Sequence, residues 1–170
     1  LVVPHIDYAC LVYADASQYL NTKLQRLSNC AVRFVFSLKR DASITVYRTK
    51  LNWMSVTMRR TYFLGLLGYK IFMMNKPSYL RELFVELGTD VRRSARLQAI
   101  QFHVPHCRTN FRQKSFMMSV IKVWRILPNN VKLTLSYDQF KAKLANFLVI
   151  NNIENICVYY GRKSFFRLPH

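Results

Sequence analysis

Acidic residues are scarce in this chain: 8 Asp and Glu stand against 26 Lys and Arg, for a formal charge of +18 and a pI near 10.2. That imbalance is far larger than a small domain needs for solubility, so a polyanion partner is the economical explanation. Nucleic acid and an anionic membrane surface both reward clustered Lys and Arg, and composition alone leaves the two open. Glycine is equally sparse, with four residues in 170. No GxxxxGK[ST] or GxGxxG loop occurs, which excludes the nucleotide folds that cradle phosphates on glycine-rich turns. Cys10, Cys30, Cys107 and Cys157 form neither a CxxC pair nor a tight framework and read as reduced, intracellular thiols, cytoplasmic or nuclear. The longest nearly apolar stretch, Thr61 to Met74, is interrupted by Gly65, Gly68 and Lys70. It falls short of the roughly 20 residues that span a bilayer, so it reads as a buried helix and no membrane is expected as a partner. There is no internal repeat and no low-complexity run. No charged leader with an apolar run and a small-residue cleavage site opens the chain. It starts at Leu1 in mid-pattern and is expected to be a fragment.

What is present is enough apolar matter for a core. Hydrophobic residues make up 51% and aromatics 14%, well above a disordered segment, so burial can offset the entropy of ordering. One compact unit is expected at this length. Leu20, Leu24, Leu27, Ala31, Phe34 and Leu38 alternate steps of four and three, which predicts a helix from Ser17 to Lys39 with these residues on its buried face. Lys23, Arg26, Arg33 and Arg40 then form a basic ridge on the solvent side, although an ordinary solvated face has the same spacing. A short helix over Ile44 to Leu51 is expected next. Ser55 caps a long apolar helix from Val56 to about Met74, stopped by Asn75-Lys76-Pro77. Ser78 to Val85 predicts another short helix with Tyr79, Leu80, Leu83 and Phe84 inside.

From Gly88 to Gln113 the periodicity lapses, and Arg92, Arg93, Arg96, Arg108 and Arg112 populate a long basic loop or short β-hairpin. A loop of that length in a compact domain is usually functional or disordered, and arginine suits phosphate contact. Helical spacing resumes at Phe116, Val120, Trp124 and Leu127, ends at Pro128, and returns at Phe140, Leu144, Phe147 and Leu148 behind a Ser136/Gln139 capping box. Beyond Asn151 the pattern is weak. The expected fold is mainly α: a helical bundle over 1–86, a basic loop and further helices packing on it over 87–150, and a poorly determined tail over 151–170.

Catalytic constellations are missing. Tyr13-Ala14-Asp15-Ala16 approaches the Tyr/Phe-x-Asp-Asp turn of polymerases but has only one aspartate, and two-metal phosphoryl transfer needs carboxylates that hold two ions about 4 Å apart. His103, His106 and Cys107 are soft ligands without a second pair at knuckle spacing, so no metal or other cofactor is expected in this chain. No Cys-His nucleophile with an oxyanion signature is visible. What remains is basic residues interleaved with aromatics, as in Arg59-Arg60-Thr61-Tyr62-Phe63, Arg108-Thr109-Asn110-Phe111-Arg112 and Lys163-Ser164-Phe165-Phe166-Arg167. Such mixtures suit backbone tracking with base stacking. Core packing accounts for Phe63 and Trp124 more readily than for Phe111 and Phe165.

Several landmarks occur in a characteristic order. They run Pro4-His5-Ile6-Asp7-Tyr8, Lys23-Leu24-Gln25-Arg26-Leu27, Asn29-Cys30, Arg33-Phe34, Leu51-Asn52-Trp53 and Arg59-Arg60. Lys76-Pro77-Ser78-Tyr79-Leu80, Arg92-Arg93-Ser94-Ala95-Arg96, Val104-Pro105, Arg108-Thr109, Ser115-Phe116, Trp124 before Leu127-Pro128, and Phe140-Lys141 follow. Over roughly Leu1 to Leu148 the chain resembles the region after the polymerase domain in reverse transcriptases of jockey-like non-long-terminal-repeat retrotransposons. Asn52 departs from the usual Leu-Gly-Trp pattern and Arg125 from the asparagine that often follows the tryptophan. The resemblance implies a thumb-like helical bundle that grips template-primer, with the palm, its aspartates and their magnesium upstream.

The combined expectation is a non-catalytic part of an RNA-directed DNA polymerase, binding RNA or an RNA–DNA hybrid through backbone charge and joined to an upstream polymerase domain. It is not an enzyme by itself. Its contact residues are expected to be Arg26, Arg33, Arg59, Arg60, Arg92, Arg93, Arg96, Arg108 and Arg112. The alternatives are a stand-alone helical protein-interaction remnant and peripheral membrane association, the latter requiring a helix both basic and apolar on its free side.

Overall fold

A computed structural model describes residues 2–86 and 102–151, and these are mainly helical, with one isolated antiparallel bridge between Glu86 and Phe102. In chain order the helices are α1 (Val2–Asp7), α2 (Gln18–Val35), α3 (Thr45–Lys50), α4 (Val56–Met73), α5 (Ser78–Arg81), α6 (Asn110–Gln113), α7 (Phe116–Ile126), α8 (Asn129–Lys132) and α9 (Tyr137–Ile150). Arg92, Arg93, Arg96 and the expected tail beyond Asn151 lie outside the described residues.

Local chemistry explains most of the boundaries. Ser17 Oγ accepts from the Leu20 N–H at 3.4 Å and Ser55 Oγ from the Met58 N–H at 3.3 Å, so each serine satisfies one of the orphan donors of a helix's first turn. Helix α4 ends where Asn75 turns to a φ of 53°, a conformation that asparagine tolerates better than other side-chain-bearing residues, and Pro77 blocks resumption. Asn52 has a φ of 52° in the turn after α3, a conformation that favours glycine or asparagine. Ser136 precedes α9, but its side chain makes no capping hydrogen bond, contrary to the capping-box expectation. The short helix after Pro77 ends at Arg81, and Tyr79 and Leu83 are exposed. Only Phe84 of that expected apolar set is fully buried, with Leu80 packed at the edge of the core.

The core is built on α4, which contacts α7 and α9 along its length. Gly65 and Gly68 make this possible: a Cβ on Gly65 would stand 2.8 Å from Leu144 Cδ2, and one on Gly68 would stand 3.3 Å from Val120 Cγ1. Around that close approach Tyr69 stacks on Phe140 at 4.3 Å, and Phe72 contacts Phe102 at 4.0 Å and Trp124 at 5.0 Å. The Tyr69 hydroxyl, buried with its ring, donates to the Thr134 carbonyl at 2.6 Å. Each large side chain buried this way contributes about 1.5–3 kcal/mol by removal from water. Phe84 and Phe102 enter the same cluster, and the His103 N–H donates to the Val85 carbonyl at 2.8 Å. Residues 84–86 and 102–103 are thereby held side by side.

Helix α2 contacts the other side of α4 and does not follow the expected orientation. Leu20, Leu27 and Phe34, expected inside, are 49%, 50% and 87% exposed. The side facing the protein carries Asn21, Gln25, Ser28 and Val32 instead, of which Ser28 and Val32 are buried. At about 100° per residue these four define a stripe rotated by roughly a quarter turn from the leucine stripe. The reason is that polar groups claim the contact. Gln25 Oε1 accepts from the Val56 N–H at 3.0 Å, an orphan donor at the start of α4, while Asn21 Oδ1 accepts from the Arg60 guanidinium. Asn29 Oδ1 accepts from Gln25 Nε2 at 2.9 Å and from the Arg48 guanidinium, tying α2 to α3.

Candidate nucleic-acid interface

The nine arginines expected to hold nucleic acid separate into groups. Arg60, on α4, is 7% exposed, hydrogen-bonded to Asn21 and set with its guanidinium carbon 4.8 Å from the centroid of Tyr13. Arg59 makes a bidentate ion pair with Asp7, through Nε to Oδ1 at 2.7 Å and Nη2 to Oδ2. Arg59 joins α1 to α4 and Arg60 joins α2 to α4; the first is taken by a carboxylate, and the second is buried with its Nε and Nη2 unpartnered. Arg33 is half-buried at the end of α2, with its Nε enclosed. Arg26, Arg108 and Arg112 are exposed. Arg92, Arg93 and Arg96 are outside the described residues.

The Thr109 hydroxyl accepts from the Arg112 N–H at 3.3 Å and opens the single turn of α6, with Arg108 just before that turn and Arg112 within it. Gln113 Nε2 donates to the Cys107 carbonyl at 3.3 Å, and Lys122 Nζ donates to the Gln113 carbonyl at 2.9 Å, which fixes that turn on α7. Between the two arginines Phe111 is 84% exposed. Lys114 follows on the same turn and pairs with Asp15 at 2.8 Å, linking α6 to the loop before α2. Further along α7, Arg125 is exposed, and with burial it pushes the Lys132 amine below its ordinary 10.5, desolvation being the larger cause.

Four of the described carboxylates are already committed. Asp7 is held by Arg59, Asp15 by Lys114, Glu86 by Arg81 and Asp138 by Lys141. Asp7 and Asp15 therefore sit against cations rather than against each other. Among the described residues no group of three or more His, Cys, Asp or Glu is arranged to hold a metal ion. Cys10 is buried beside Arg60, and desolvation, reinforced by Asp7, pushes its thiol up, so it stays protonated at neutral pH and is a poor nucleophile. Among the described residues no helix is long and apolar enough to cross a membrane.

Sequence reasoning missed the roles of Asn21, Gln25 and Asn29, although their spacing along α2 forms a polar stripe that a search for apolar periodicity passes over. It also missed Lys114, whose neighbour Asp15 is distant in sequence. Comparison with protein-family models, curated proteins and solved structures finds no match.

Proposed function

We propose that this chain is a non-catalytic part of a retroelement RNA-directed DNA polymerase that holds RNA or an RNA–DNA hybrid through backbone charge. The observation that carries this reading is the exposed Phe111 ring between exposed Arg108 and Arg112. Two fork-shaped cations flanking a free aromatic face match the chemistry of a single-stranded polyanion: guanidinium groups take phosphates bidentately, and the ring takes a base. The excess of Lys and Arg supports it, because among the described residues only four carboxylates pair with cations, while Arg26, Arg108 and Arg112 stay exposed. The ordered landmarks shared with jockey-like reverse transcriptases supply the polymerase context, with magnesium and the catalytic aspartates belonging to an upstream palm.

The test is fluorescence anisotropy on labelled single-stranded RNA across a salt series. Binding should weaken with a log–log slope of about −0.7 per phosphate neutralised, and Arg108→Ala and Arg112→Ala should each make the slope shallower by about that amount. Phe111→Ala should weaken binding by about 1–3 kcal/mol without altering the slope. Salt-insensitive binding, or none at low salt, overturns the proposal.

A further inference from the structure

The single aspartate of Tyr13-Ala14-Asp15-Ala16 lies in the loop before α2, and its Oδ1 meets the Lys114 amine at 2.8 Å. Lys114 closes α6, shortly after Phe111 and Arg112. One acidic side chain is therefore set against the third cation of the segment that carries Arg108 and Arg112.

Neither side of that contact depends on it for its place in the fold. The Lys114 N–H donates to the Asn110 carbonyl at 3.1 Å, Gln113 Nε2 to the Cys107 carbonyl at 3.3 Å and Lys122 Nζ to the Gln113 carbonyl at 2.9 Å, so the turn stays on α7 by its own bonds. Opposite it, Asn21 Nδ2 donates to the Ala16 carbonyl at 3.0 Å and Ser17 Oγ accepts from the Leu20 N–H, which anchors the loop bearing Asp15 to α2. The ion pair itself is open to water, with 55% of the Lys114 side chain and 52% of the Asp15 side chain exposed. Solvent screens such an attraction, and holding two mobile side chains in one geometry costs entropy, so the pair is weak and reversible. A phosphate reaching the same amine can take the place of the carboxylate.

On the nucleic-acid reading above, we infer that Lys114 is a further phosphate contact beside Arg108 and Arg112, and that Asp15 competes with nucleic acid for its amine. Asp15 thereby tempers the affinity of the site. While the two charges arrive together they bring no net charge to a phosphate and displace almost none of its condensed cations. Without the Asp15 charge the amine arrives alone and neutralises a phosphate outright.

The full chain and its variants are titrated into labelled single-stranded RNA across a salt series. Asp15→Asn, which keeps the side-chain shape at an exposed position, should bind about fivefold more tightly at about 0.1 M salt and steepen the log–log slope by about 0.7, the effect of one more phosphate neutralised. Adding Lys114→Gln to that variant should return affinity and slope to the native values. Adding Lys50→Gln instead, on the exposed surface of α3, should leave the steeper slope in place. Circular dichroism verifies that each variant is folded. A native chain that binds as expected while Asp15→Asn merely matches it, or a steeper slope that survives Lys114→Gln, overturns the role of Lys114 and leaves the proposed function standing. A native chain without salt-dependent RNA binding overturns both.

Discussion

Helix α4 is gripped on two sides by different chemistry. Toward α7 and α9 it meets a dry aromatic core in which Tyr69, Phe72, Phe102, Trp124 and Phe140 are buried in mutual contact. Toward α1 and α2 it meets Asp7, Asn21 and Gln25 through Arg59, Arg60 and its own first backbone amide. Apolar periodicity thus assigns a helix its secondary structure but not its neighbour. Where hydrogen bonds position a helix, its apolar stripe is left exposed.

Paired substitutions break this comparison most sharply. Phe140→Ala should cost about 3–5 kcal/mol in denaturant unfolding, whereas Phe34→Ala, equal in chemistry, should change stability by less than about 0.5 kcal/mol. Comparable losses for the two would put Phe34 inside. On the polar side, Asn21→Ala removes the acceptor for the buried Arg60 guanidinium and should cost about 2–3 kcal/mol, with Gln25→Ala nearer 1 kcal/mol. If α2 were held by its leucines instead, both would be nearly silent. Gly65→Val tests the close approach of α4 and α9. Its Cβ alone would meet Leu144 at 2.8 Å, and about 2 kcal/mol of destabilisation is expected by thermal melting.

The smallest effect concerns Lys132. Burial and Arg125 lower its amine below 10.5, so the folded chain holds that proton less firmly than the unfolded chain. Stability should therefore rise as pH climbs through the folded-state value toward 10.5. Lys132→Met should stabilise the protein at neutral pH, with an advantage that shrinks over that same window. Denaturant melts near neutral pH and near pH 10.5 check both the sign and the narrowing.

The elements that rest on local chemistry were legible from the residues alone. Serine caps at Ser17 and Ser55, stops at Pro77 and Pro128, and the apolar spacing of 116–127 and 140–148 placed α2, α4, α7 and α9 within a few residues, because capping and periodicity act between near neighbours. The exposed Arg108 and Arg112 were legible for the same reason, standing in a segment without apolar periodicity. The tertiary structure alone decided which stripe of α2 faces inward, since that depends on Val56 and Arg60 waiting as donors across the fold. It also decided that Arg59 and Arg60 become internal ties while Phe111 stays outside. A guanidinium reads alike in sequence whether its partner is a phosphate or an Asp7 carboxylate 52 positions away, and only the folded chain brings that carboxylate within reach.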